Sequence, residues 1–171
     1  APADPNPSAF PADEIPASLD TDPMDRRRDR LFAFLGLLDD AAPLFESKPG
    51  VPHAGLLLAI PAILSSGVLD CARTIYGGIG PAFFGLRTSI VTLLLMALLR
   101  IKRPEGLKER VPQDLGRVLG VDRAPEVKTL RRKLARLGSF GRATDFGRAL
   151  SRHRVARRGA ALGFLYVDGH V

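Results

Sequence analysis

Positive charge is concentrated in one part of this chain: residues 100–158 carry 18 Lys and Arg against 6 Asp and Glu, whereas residues 1–99 carry 7 against 11. Whatever fold it adopts, the chain must display this surplus as one localised region of strong positive potential beside a mildly acidic remainder. The net charge of +7 and a pI near 10.3 suit a polyanionic partner, either nucleic acid or an anionic membrane surface. At 171 residues there is room for one or two small domains, and with 46% apolar residues the chain can bury a core. Its single cysteine, Cys71, can form no internal disulfide, so a reducing, cytoplasmic setting is the expectation.

The rest of the chain divides by composition. Residues 1–24 form a leader rich in proline and acid: 6 of the 14 prolines and five carboxylates fall within residues 1–23, without a basic residue. So little apolar surface cannot offset the entropy of ordering, which predicts disorder. The leader lacks the cationic start and continuous apolar run of a secretory signal, and Ala1 in place of Met points to a processed or incomplete chain. Residues 25–101 read as an apolar helical domain. Asp25 is placed to cap a helix whose Leu31, Phe34, Leu35 and Leu38 recur at helical spacing, with Asp39, Asp40 and Pro43 ending it. Residues 54–63, interrupted by Pro61, and residues 66–76, with serines at the start and Gly77-Gly78 at the end, predict two short helices.

Two apolar stretches raise the question of a membrane. Between Arg87 and Arg100 only 12 uncharged residues intervene, short of the roughly 20 that a span needs. Residues 51–69 are long enough at 19, but Pro52, His53, Pro61, Ser65, Ser66 and Gly67 make a poor continuous helix in lipid. Core helices are the better reading.

Residues 102–158 form the basic block. Residues 112–119 predict a short helix, Gly120-Val121-Asp122 a turn, and residues 125–137 a second helix, which together have helix-turn-helix spacing. Gly120 supplies the left-handed residue, Pro125 suits a first turn, and Asp122 is a candidate N-cap. On the second helix Val127, Leu130, Leu134 and Leu137 share one stripe, which leaves Lys128, Thr129, Arg132 and Arg136 opposite, with Arg131 and Lys133 flanking. An apolar docking stripe backed by long hydrogen-bond donors is what a recognition helix in a major groove requires. Residues 142–158 place Phe146, Leu150 and His153 on one helical side and crowd the others with arginines, including Arg148 and Arg152, as in a helix that tracks phosphates. His153 reads as a partly buried packing residue rather than a ligand. The candidate DNA-contacting residues are therefore Arg123, Lys128, Thr129, Arg131, Arg132, Lys133, Arg136, Arg148 and Arg152.

Residues 159–171 switch character: Leu162, Phe164, Leu165, Tyr166 and Val167 make a strand-like run that stops at Asp168-Gly169, a strong turn pair. A sheet begun here would be completed by residues beyond Val171. The stretches Gly80-Pro-Ala-Phe-Phe-Gly-Leu-Arg87, Leu98-Leu-Arg-Ile-Lys-Arg-Pro-Glu-Gly-Leu-Lys108, Asp122-Arg-Ala-Pro-Glu-Val-Lys-Thr-Leu-Arg-Arg-Lys-Leu134 and Gly163-Phe-Leu-Tyr-Val-Asp-Gly-His-Val171 resemble the N-terminal part of transposases of bacterial insertion sequences. The resemblance runs from about Asp25 to the end.

It implies a mostly α fold, a helical bundle with a helix-turn-helix element, followed by the first strand of an RNase H-like domain truncated just after its first catalytic carboxylate. Asp168 stands in that carboxylate's place. The implied chemistry is phosphodiester transfer with Mg2+ or Mn2+ in the full-length parent, held by Asp168 and carboxylates outside this chain. The 171 residues themselves are then expected to bind double-stranded DNA at element ends without cutting it and without a tightly held metal. No membrane or small-molecule substrate is implied, and self-association is left open. A non-enzymatic helix-turn-helix regulator is the alternative, and a small membrane-associated protein a more distant one.

Overall fold

The structure, a computed structural model, describes residues 18–159. Seven α-helices and two 3-10 turns, without a strand, make up those residues: α1 (Arg27–Phe34), a 3-10 turn (Ala54–Ala59), α2 (Ile60–Ser65), α3 (Val68–Tyr76), α4 (Leu86–Leu98), a second 3-10 turn (Pro104–Glu109), α5 (Pro112–Leu119), α6 (Val127–Ser139) and α7 (Ala143–Arg158). The fold is mostly helical, as composition and periodicity predict. The predicted leader residues 1–17, the predicted strand at 160–167 and Asp168 lie outside the described residues.

Helix α4 is central because, Arg87 aside, it is apolar or small on every side. It lends Leu95 and Met96 to one hydrophobic cluster and Leu86 and Ile90 to another. Its buried hydroxyls turn back on its own backbone, Ser89 Oγ donating to the Gly85 carbonyl at 2.6 Å and Thr92 Oγ1 to that of Thr88 at 2.7 Å, so they are buried without loss. The first cluster also takes Leu115, Val118, Leu119, Val121, Ala124 and Leu130, so the apolar helices and the basic block, distinct in composition, share one core. In the second cluster α3 packs between α4 and α7, with Tyr76 tilted against Phe146 at a centroid distance of 5.6 Å.

Asp40 caps α4 instead of ending α1. Its carboxylate accepts the Gly85 N–H at 3.0 Å, the Thr88 N–H at 3.2 Å and the Thr88 hydroxyl at 2.6 Å. Gly85 is required here because a Cβ would sit 2.1 Å from the Asp39 carbonyl oxygen. Helix α1 stops earlier than its spacing predicts, at Phe34, with Gly36 left-handed at φ 78°.

Along the helix its faces are also reversed with respect to expectation: Leu31, Phe34 and Leu35 are exposed, whereas Arg26, just before the helix, and Asp29 are almost wholly buried, and of the predicted stripe only Leu38, beyond the helix end, is buried. The reversal follows from what surrounds Arg26. Its guanidinium donates to Asp29 Oδ2 at 2.8 Å, to the Ala42 carbonyl at 2.7 Å and to the Gly120 carbonyl at 3.1 Å. Asp29 in turn accepts the Ser18 hydroxyl at 2.6 Å and the Leu19 N–H at 2.7 Å, while its own N–H donates to Asp20 Oδ2 at 2.9 Å. Residues 18–20, placed by composition in the leader, are thus part of this polar network.

Among the described residues no single helix is long and apolar enough to cross a membrane. The candidate stretch around 51–69 is broken as its prolines and Gly67 predict, and Ala54–Ser65 meets Val68–Tyr76 at 59°. Gly67 adopts φ 71° there, and the Ser66 hydroxyl accepts the Val68 N–H at 3.3 Å.

Candidate nucleic-acid interface

The interface is built on α5, the connection 120–126 and α6. Pro112 opens α5, where a missing N–H costs nothing, and Gly120 closes it at φ 74°. Gly120 has a second reason to be glycine: a Cβ would lie 2.6 Å from Pro43 Cβ. Gly116, inside α5, lets the connection fold back onto the helix, since a Cβ would meet the Arg123 Cα at 2.4 Å. Two backbone bonds secure that return, Val121 N–H to the Gly116 carbonyl at 2.9 Å and Ala124 N–H to the Pro112 carbonyl at 2.8 Å.

Two arginines of the α1 region hold the connection from outside. Arg26 reaches the Gly120 carbonyl, and Arg30 grips the Asp122 carboxylate at 2.6 and 2.8 Å while its guanidinium lies 4.0 Å from the centre of the Phe83 ring. Asp122 therefore does not cap α6. The helix begins at Val127 with Glu126 at its N-cap position, and it runs on to Ser139.

Helix α6 docks as its stripe predicts. Leu130 is buried in the first cluster with Val127 and Leu134 packed against it, and Leu137 packs against the second. Burying a leucine of this kind contributes about 2 kcal/mol. The element α6 touches most is the 3-10 turn Pro104–Glu109. Opposite the stripe, Lys128, Arg131, Arg132 and Arg136 are exposed and Thr129 is half-buried. Arg131 is paired with the carboxylate of the half-buried Glu105, and Arg136 lies 5.0 Å from the centre of the Phe140 ring. Among the described residues neither Lys128 nor Arg132 is paired with a carboxylate. Arg123 is exposed just ahead of the helix.

Lys133, grouped with these donors by sequence position, is turned inward and buried. Burial pushes its ammonium below the usual lysine value, the neighbouring Arg132 adds to the fall, and the Asp40 carboxylate opposes it. A lysine whose pKa falls on folding binds fewer protons in the folded state, so stability should climb as pH rises from the folded pKa toward the ordinary lysine value. Lys133→Met removes the desolvated charge and is expected to raise the thermal midpoint by about 2–4 °C, to flatten that alkaline climb and to leave polyanion affinity intact. Calorimetry across pH, with a binding titration alongside, checks all three.

Helix α7 has a lighter attachment: none of its residues is fully buried. Phe146 packs on Tyr76, and His153 is half-buried with its ring over Gly67, where a Cβ would come within 2.5 Å of the imidazole. Arg157 is hydrogen bonded to the Ser65 carbonyl, and Arg142 reaches that of Ile75 at 2.9 Å. Arg148, 3.7 Å from Asp145, and Arg152 are exposed, as are Arg154 and Arg158. The arginines thus bring a second cationic surface to the molecule. Among the described residues no group of three or more His, Cys, Asp or Glu side chains is placed to hold a metal ion.

A mostly helical protein with one helix docked by an apolar stripe and cationic on its outer side is the class that this architecture defines. A family model described as a transposase protein, Transposase_29, matches residues 23–171, and the chain belongs to that family. No curated protein and no solved structure matches it.

Proposed function

We propose that residues 112–139 act as a helix-turn-helix that recognises double-stranded DNA at the ends of a mobile element, with α6 as the recognition helix. The observation that carries this reading is the outward face of α6, where Lys128, Arg131, Arg132 and Arg136 are exposed while Leu130 anchors the opposite side in the core. Rigid docking matters because long cationic side chains discriminate only when the backbone beneath them is fixed. Arg123, in the connection ahead of the helix, and Arg148 and Arg152 on α7 supply phosphate contacts that set register. Membership of the transposase family supports DNA as that polyanion. On this reading Asp168 would be one of the carboxylates that hold Mg2+ or Mn2+ for phosphodiester transfer. The described part serves recognition, not strand chemistry.

The test is a fluorescence anisotropy titration of a labelled duplex at increasing salt. If the four exposed cations of α6 each neutralise one phosphate, their contacts alone make affinity fall about 100-fold between 50 and 200 mM salt, and those of Arg123, Arg148 and Arg152 steepen the fall further. Binding that ignores salt, or no binding at 50 mM, would overturn the proposal.

A further inference from the structure

A groove of about 550 Å³ opens between the 3-10 turn Pro104–Glu109, the start of α5 and the start of α6. Its volume lies within the range of about 300–1,000 Å³ typical of small-ligand sites. Leu107, Leu115 and Val127 line it, with prolines Pro112 and Pro125 on either side. Four cations, Lys108, Arg123, Lys128 and Arg131, stand around this apolar floor, and the one carboxylate lining it is that of Glu126.

Two properties of this site point in one direction. An apolar floor favours a flat, weakly hydrated body, while Lys108, Arg123 and Lys128, none of them paired with a carboxylate among the described residues, favour an anion beside it; Arg131 is already paired with Glu105. A nucleotide combines both features in one ligand: a base with two apolar faces and a phosphate. At about 550 Å³ the groove is also too small to take in a duplex. Arginine planes such as those of Arg123 and Arg131 add a stacking surface for a base that has left its own stack.

We infer that the groove receives one unpaired nucleotide at the edge of the duplex held by α6, its base on the Leu107, Leu115 and Val127 floor and its phosphate against Lys108 and Arg123. The inference rests on the DNA-binding reading above and adds to it a preference for a frayed or single-stranded end. A strand-end nucleotide rather than a free one is favoured because Lys128 and Arg131 belong both to the groove and to the outward face of α6.

The experiment compares three labelled DNAs at one salt concentration: a blunt duplex, the same duplex with a three-nucleotide unpaired extension, and one whose extension carries abasic sites. The inference predicts five- to tenfold tighter binding of the extended duplex, and binding of the abasic form close to that of the blunt one. Lys108→Ala and the groove-filling Gln113→Trp, both at exposed positions, should abolish the preference while changing the Kd for the blunt duplex less than twofold. Equal affinity for all three DNAs, or an equal gain from the abasic extension, overturns the groove assignment and leaves duplex recognition standing. Failure to bind any of the three overturns both. A second readout is 2-aminopurine at the unpaired position. Bound wild-type protein should shield it from acrylamide and Gln113→Trp should not; shielding that persists in the variant contradicts the inference.

Discussion

Arg26→Ala should cost the protein about 3–5 kcal/mol, the loss expected when one partner of a buried ion pair is removed, and so a large part of the 5–15 kcal/mol that holds a domain together. The size of the effect follows from what is stranded. Asp29, fully buried, would keep its charge with only Ser18 and Leu19 as donors, and the carbonyls of Ala42 and Gly120 would each lose a charged donor. A double replacement, Arg26→Met with Asp29→Leu, should recover part of the loss, since the charges vanish together, but not all of it, since the Ala42 carbonyl loses its charged donor while that of Gly120 keeps only the Leu44 N–H at 2.8 Å.

The same network governs acid stability. Burial alone would raise the Asp29 pKa, but hydrogen bonds from Ser18, Leu19 and Arg26 outweigh it and hold the carboxyl below its ordinary value of 3.8. A lowered carboxylate pKa contributes stability that is present above the unfolded value and is lost as pH falls through the folded one. Acid unfolding should therefore begin below about pH 4 in the wild type. Urea unfolding followed by circular dichroism checks the main effect: an Arg26→Ala variant within 1 kcal/mol of wild type would mean that the network is not what fixes the connection 120–126.

What could be read from the sequence, and what could not, divides along a physical line. The bounds of α5 were legible because Pro112 and Gly120 act locally, one by lacking an N–H and the other by accepting positive φ. The stripe of α6 was legible because Val127, Leu130, Leu134 and Leu137 repeat with the helix itself. Helix α1 misled because the partners of Arg26 lie 16 and 94 residues away, where no periodicity points. Lys133 misled for a related reason: whether a position flanking the stripe is buried depends on what packs beside α6, and helical spacing alone does not show that.

Gly116 was a signal that could have been used. A glycine inside a helix costs about 1 kcal/mol relative to alanine, so its presence there asks for a close neighbour, which proves to be the backbone of Arg123. Asp122 shows the limit of capping arguments, since its carboxylate is committed to Arg30 before α6 begins.

The largest functional effect should come from reversing the outward charge of α6. Lys128→Glu, Arg132→Glu and Arg136→Glu together replace three exposed cations with three carboxylates, and all three sites lie away from the buried stripe. Surface changes of this kind leave stability within about 0.5 kcal/mol apiece, so the fold should survive. Binding should not. Losing three phosphate contacts lowers the log–log salt slope by about 2.7, and the introduced repulsion adds to the loss, giving a drop of at least 100-fold in affinity near 100 mM salt.

Duplex titration of the wild type and this triple variant over one salt series, with unfolding curves recorded for both, is the most direct trial. The recognition-helix account predicts matching unfolding midpoints, a steep salt slope for the wild type and a much shallower one for the variant. A variant that is equally stable and binds duplex DNA with undiminished affinity and slope would place the DNA on another surface and contradict the account.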